Sequence, residues 1–157
     1  RKDDAIPARC PSIDKNHRGT LGREYFEFIP KNGFGLPGEE GGAPEVIVFH
    51  DCNHVLGDYG TSEEEEAQVA AFHAGYRGED KFALMLFILM QFQLGVTITP
   101  VTEGKRGFVR PDAVLSAFER GSRVNRDLMA TWDPRDDFER PVEALRQEFG
   151  VTPRIPV

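Results

Sequence analysis

Residues 82–90 read FALMLFILM, nine apolar side chains in a row before Gln91 and Gln93 interrupt. This run limits the fold more than any other feature of the chain. It is roughly half of the ~20 residues needed to cross a bilayer. It has neither the alternation of a half-buried strand nor a polar face to turn to water. The reading it favours is plain core, a helix surrounded by other helices; the wall of an apolar pocket is the alternative. At 157 residues the chain is long enough to bury such a core within one domain.

The rest of the chain supplies the surrounding helices. Residues 1–18 carry prolines and charges without an apolar period and read as an extended arm, with a helical core over 19–157. Leu21, Tyr25, Phe26, Phe28 and Ile29 fall close to helical spacing, and Pro30 with Asn32-Gly33 predicts the stop. Residues 33–44 are a glycine-rich loop. Pro44 suits a first helical position for a helix over 45–56, against a buried strand through the β-branched Val46-Ile47-Val48. Thr61 or Ser62 with a glutamate three residues on predicts a capping box and a helix to about Ala74. The run at 82–90 ends near Gly95, a second loop follows, Pro111-Asp112 opens a helix to about Arg120, and a last helix covers 136–149 with Pro141 as a kink or break. The expected class is all-α: one domain of about six helices with two glycine-rich loops.

A balance of 26 acidic to 19 basic residues disfavours nucleic acids and anionic membranes as partners. The two cysteines, Cys10 and Cys52, show no framework spacing, and no signal peptide or transmembrane segment is recognisable. The expected setting is therefore reducing and intracellular, soluble or peripheral to a membrane, and cytoplasmic in a bacterium. Phe26, Phe28 and Phe34 near one loop are candidates for a homodimer face.

Residues 50–66, HDCNHVLGDYGTSEEEE, carry the chemistry. With His50 taken as zero on a helix, His54 lies at about 40° and Asp51 at about 100°, so three donors share a face. Cys52 lies near 200°, turned away, and is expected in the core. Two histidines at i and i+4 can hold zinc, iron or manganese together with a carboxylate. Glu66, inside the next helix beyond the capping glutamates, is the natural further ligand. Helical stepping from Glu66 brings Ala70, His73 and Arg77 onto one stripe. His73 is then a candidate base or substrate contact and Arg77 a candidate substrate contact. The simplest expectation for both is nonetheless a solvated surface. The pattern is not HExxH, so the metalloprotease arrangement is excluded. The upstream histidine that an HD-type phosphohydrolase requires is also missing, since His17 lies in the arm.

His50, Asp51, His54 and, after eleven residues, Glu66 reproduce the HDxxHx11E signature of the coenzyme Q (ubiquinone) biosynthesis protein 4 family, which the chain resembles. GTLGREYFEFI at 19–29 and FERPVEALRQEFGV at 138–151 are similar to the family's opening and closing helices. The resemblance implies a helical fold and one divalent ion, usually zinc, held by His50, Asp51, His54 and Glu66. It also implies an apolar groove for a prenylated aromatic molecule and a role in removing the C1 carboxylate of a prenylated hydroxybenzoate with oxidation to the hydroxyl. Asp51 is then either ligand or proton carrier, and Arg23 a candidate substrate contact whose fork of donors suits a carboxylate or phosphate. An alternative role is non-catalytic: a lipid-binding assembly protein with a structural metal that organises other quinone-biosynthesis proteins. Metal-assisted hydrolysis is the third. The glycine-rich entry to the motif is shorter than in the family and would open the site to soluble substrates.

Overall fold

The computed structural model describes residues 17–35, 46–98 and 103–155. The arm at 1–16, Cys10, and the loop that includes Pro44 lie outside the described residues. Within them the chain forms six α-helices: α1 (Leu21–Lys31), α2 (Val46–Gly57), α3 (Glu63–Tyr76), α4 (Lys81–Ile88), α5 (Pro111–Ser122) and α6 (Val142–Phe149). The expected all-α architecture is the observed one.

Local chemistry accounts for most boundaries. Thr20 caps α1 by accepting from the Arg23 backbone N–H, and Leu21, Tyr25, Phe26 and Ile29 form its buried face. Pro30 does not stop α1 as expected. It sits in the last turn and forfeits one helical hydrogen bond, but the turn closes around it: Asn32 N–H donates to Phe28 O and Gly33 N–H to Pro30 O at 3.0 Å. The helix ends at Asn32, whose side-chain amide donates to Phe28 O at 2.8 Å, followed by Gly33 at φ 76°. The β-branched start of α2 is helical because Val48, Cys52 and Leu56, at i, i+4 and i+8, are all buried against the core. Ser62 caps α3 by accepting from Glu65 N–H at 3.4 Å. Ser62→Ala is expected to cost about 1 kcal/mol in a urea titration; an unchanged midpoint would refute the cap.

Helix α3 is the centre of the molecule, buried continuously from Ala67 to Gly75. It packs most extensively on α5. The last predicted helix is broken: a short 3-10 turn (Pro134–Asp137) precedes Pro141, which caps α6, and Gly150 at φ 75° ends it. The backbone of Leu21 donates to Arg140 O at 2.9 Å and that of Val142 to Gly19 O at 2.8 Å, which ties the starts of α1 and α6 together.

The largest departure concerns the apolar run. Helix α4 passes into a π-helical turn (Leu89–Gln93), and it is not surrounded. Ile88 and Phe92 enter the core, whereas Phe82, Leu86 and Leu89 face outward, Phe82 with 79% of its surface exposed. Nine apolar residues in a row conceal which side has a neighbour; among the described helices α3 is its main partner, beside the short helical turns at its two ends. No helix among the described residues is long and apolar enough to cross a membrane.

Candidate metal centre

The expected ligands His50 and His54 lie on α2 and Glu66 on α3, and the α2–α3 turn brings them together. Asp58 at φ 57° takes the left-handed conformation that aspartate tolerates, and Tyr59 N–H donates back to His54 O at 3.0 Å. Thr61 Oγ donates to Asn32 Oδ1 at 2.8 Å and pins the turn to α1.

His54 is oriented from behind. Its Nδ1 faces the carbonyl oxygens of Gly60 at 2.9 Å and Tyr59 at 3.4 Å. Two acceptors on that side require Nδ1–H, which leaves Nε2 with its lone pair forward, the tautomer a metal ligand needs. His54 Nε2 lies 3.0 Å from His50 Nε2 and 3.5 Å from Glu66 Oε1, and His50 Nε2 lies 3.4 Å from Glu66 Oε2. A tetrahedral ion with bonds of about 2.0–2.1 Å sets its ligand atoms about 3.3 Å apart. Two imidazole nitrogens and a carboxylate at these separations therefore fit a divalent cation. Among the described residues, His50, His54 and Glu66 are the group whose donor atoms converge in this way. The cluster can chelate a divalent metal ion.

Asp51, the fourth expected ligand, is buried beside this group rather than among its converging donors. Burial lifts its carboxyl pKa to about 6, with His50 opposing and Glu66 adding to the rise. Glu66 moves the other way. Burial pushes it up, but in the metal-free site with both imidazoles protonated, the hydrogen bonds from His50 and His54 and their positive charges outweigh that and bring it down to about 2.

His73 is not solvated, contrary to the simplest expectation. It is buried on α3, two turns beyond Glu66, its ring edge-on to His50 with centroids 5.3 Å apart. Burial, and then the neighbouring His50 and His54, hold it neutral, with a pKa well below the usual histidine value. Its Nε2 has no hydrogen-bond partner, a costly condition for a buried polar atom. Arg77 ends α3 half-exposed, paired with Asp80 at 2.5 Å and Asp127 at 3.7 Å. Arg23 pairs with Glu27 along α1 and is not part of the cluster. Cys52 is fully buried, as its helical angle predicts.

Sequence reasoning missed the arginines that hold the end of α2. Arg146 donates to Val55 O and Leu56 O, both at 2.9 Å. Arg120 donates to Gly57 O at 2.7 Å, and Arg154 to Asp58 O at 2.8 Å. The carbonyls that end the histidine helix thus meet three cations, which complements the negative end of its dipole. No spacing signal could reveal them, because each reaches α2 from at least 63 positions away. A cleft of ≈ 590 Å³ opens beside Arg146, Arg154, Phe28 and Tyr59 and reaches His54, but neither His50 nor Glu66 lines it. Of the phenylalanines proposed for a dimer face, Phe26 is core and Phe28 packs on His54 at 5.4 Å; Phe34 alone is exposed.

A scan against protein-family models finds no match for this chain, and a search of the curated proteins finds none either.

Proposed function

We propose that this protein is a metal-dependent enzyme acting on an aromatic acid with an apolar tail. In the sharpest form of this reading it takes part in oxidative removal of the C1 carboxylate from a prenylated hydroxybenzoate. The observation that carries the metal reading is the convergence of His50, His54 and Glu66 at ligand separations. The HDxxHx11E spacing, shared with the ubiquinone biosynthesis protein 4 family that the sequence resembles, supports the substrate class.

Zinc suits the two nitrogens and one carboxylate best, with iron or manganese as alternatives. Bound there, the ion supplies Lewis acidity that steadies negative charge on a ring oxygen or departing carboxylate. The chain's own residues do the rest. Gly60 and Tyr59 carbonyls hold His54 in its ligating tautomer. Asp51, with a carboxyl pKa of about 6, is poised to carry a proton near neutral pH. His73 offers a neutral ring nitrogen with unused hydrogen-bonding capacity. The replacement balances as loss of the carboxyl group as CO2, entry of oxygen from water, and release of two protons and two electrons, which a soluble two-electron oxidant such as dioxygen would have to accept. An enzyme is favoured over an assembly protein with a structural metal by exposure. The side chains of His50 and Glu66 are each 28% exposed, so the cluster meets solvent on one side rather than closing around the ion.

Elemental analysis of protein purified without added metal tests the reading. About one equivalent of a transition metal is expected, absent from His54→Ala. No metal in either protein overturns it. With metal established, Asp51→Asn is expected to keep the ion and lose turnover of prenylated hydroxybenzoates. Full turnover in that variant removes Asp51 as proton carrier.

A further inference from the structure

The segment that follows α6 is tied across the end of the histidine helix. Val151 is buried and its N–H donates to Arg146 O at 2.8 Å. Thr152 O accepts from Arg120 Nε at 2.6 Å, while the same guanidinium reaches Gly57 O through Nη1. This brings Arg154 over the α2–α3 turn. Its guanidinium donates to Asp58 O at 2.8 Å, Glu65 Oε1 at 2.7 Å and Gln68 Oε1 at 3.2 Å, and it lies 4.9 Å from the centre of the Tyr59 ring. All of these partners lie on residues 58–68, the turn after His54 and the start of the helix that carries Glu66.

Glu65 passes this contact on. Its carboxylate accepts from Arg154, from Ser62 Oγ at 3.1 Å and from the Gly60 N–H. Gly60 sits so close that a β-carbon there would lie 2.3 Å from Glu65 Oε2. The Gly60 N–H belongs to the same planar peptide group as the Tyr59 carbonyl. The Tyr59 and Gly60 carbonyls are in turn the two acceptors that face His54 Nδ1, at 3.4 and 2.9 Å. A path of hydrogen bonds and one peptide group thus runs from Arg154 through Glu65 to the back of His54. Arg154 and Glu65 each keep only 27% of their side-chain surface exposed, so water and salt screen this pair less than one on the open surface. Arg120 and Arg146 differ: they hold the carbonyls of Val55, Leu56 and Gly57, which are not the ones that meet the ring.

We infer that Arg154 and Glu65 are positioning residues for His54: they fix the Tyr59 and Gly60 carbonyls behind its ring and so hold it in the Nδ1–H tautomer, with Nε2 turned to the metal centre. The consequence for metal affinity rests on the reading of His50, His54 and Glu66 as ligands; the consequence for the tautomer does not. The outer hydrogen-bond partners of a ligating imidazole set its orientation and tautomer, and their loss weakens metal binding by roughly 10–100-fold. Here those partners are backbone carbonyls of a turn, so the turn itself must be held. With Gly60 and the left-handed Asp58 it has little stiffness of its own. The charge pair supplies that stiffness from a segment 89 positions away.

The test compares the full chain with Arg154→Gln and Arg154→Lys, each freed of metal by chelator, at about pH 8, where ordinary imidazoles are neutral. Long-range proton–nitrogen correlation spectra read the tautomer of each histidine. His54 is expected as a single Nδ1–H form in the native chain and as a mixture of both forms in Arg154→Gln. Arg154→Lys, which keeps a cation beside Glu65, should return it towards the native form. Zinc affinity, measured by competition with a chromophoric chelator, is expected to fall roughly tenfold in Arg154→Gln. Arg146→Gln serves as the comparison for the helix end: it should lower Tm without moving the tautomer. The inference is overturned if His54 has the same tautomer in Arg154→Gln as in the native chain, even where Tm falls, or if Arg146→Gln shifts it equally. A native chain that takes up no zinc while its tautomer still follows Arg154 defeats the metal reading and supports the positioning role.

Discussion

Gly121→Ala is expected to destabilise the protein by on the order of 3 kcal/mol or more. A β-carbon at Gly121 on α5 would lie 2.0 Å from Phe72 O on α3, and one at Gly75 would lie 2.5 Å from the backbone of Gly121, Phe118 and Ser122. All of these neighbours are backbone atoms, so neither helix can yield by a rotamer change. They must separate, and a close-packed crossing resists that. A chain of this size loses about 2–4 °C in Tm per kcal/mol, so a fall near 10 °C is expected in thermal unfolding. Because α3 also carries Glu66 and His73, the displaced helix should bind metal more weakly as well. An alanine variant with native Tm would show that the helices are not in contact here.

The second large effect runs in the opposite direction. Asp51→Asn is expected to stabilise the metal-free protein at pH 7. The Asp51 carboxyl pKa rises from 3.8 to about 6 in the fold, so the folded state binds more protons than the unfolded state between those values. Stability from this group therefore falls as pH rises from about 4 to about 6, and the full penalty remains above that. The displacement corresponds to on the order of 1–3 kcal/mol, which asparagine removes. Below about pH 4 both forms of Asp51 are neutral and the difference should vanish. Glu66 has the reverse sign: with a folded pKa of about 2, its contribution is present above the usual carboxylate range and is lost as pH falls through that value. Urea titrations of chelator-treated protein at pH 4 and pH 7 separate the two. An asparagine variant less stable than the native chain at pH 7 would contradict the burial of a charged Asp51. A carboxylate kept at such a cost beside two histidines and a glutamate is what a site awaiting a cation looks like.

The sequence by itself determined where helices start and stop and which residues could become ligands. Ser62, Asn32-Gly33, Pro111, Pro141 and Gly150 act within about four residues of themselves, so their effects are local and readable. The spacing of His50, His54 and Glu66 is equally local: one helical turn, one short turn of chain, and the start of the next helix. Tertiary structure alone decided which face of each helix found a neighbour. The run at 82–90 is apolar on every side, so nothing in it could distinguish the side that packs on α3 from the side left bare. His73 looked like a surface residue until α3 proved to be the central helix. Arg120, Arg146 and Arg154 look like any other charged side chains in sequence, yet they end the histidine helix from distant parts of the chain. Burial and long-range hydrogen bonding are properties of pairs of elements, and a single stretch of sequence carries only one member of each pair.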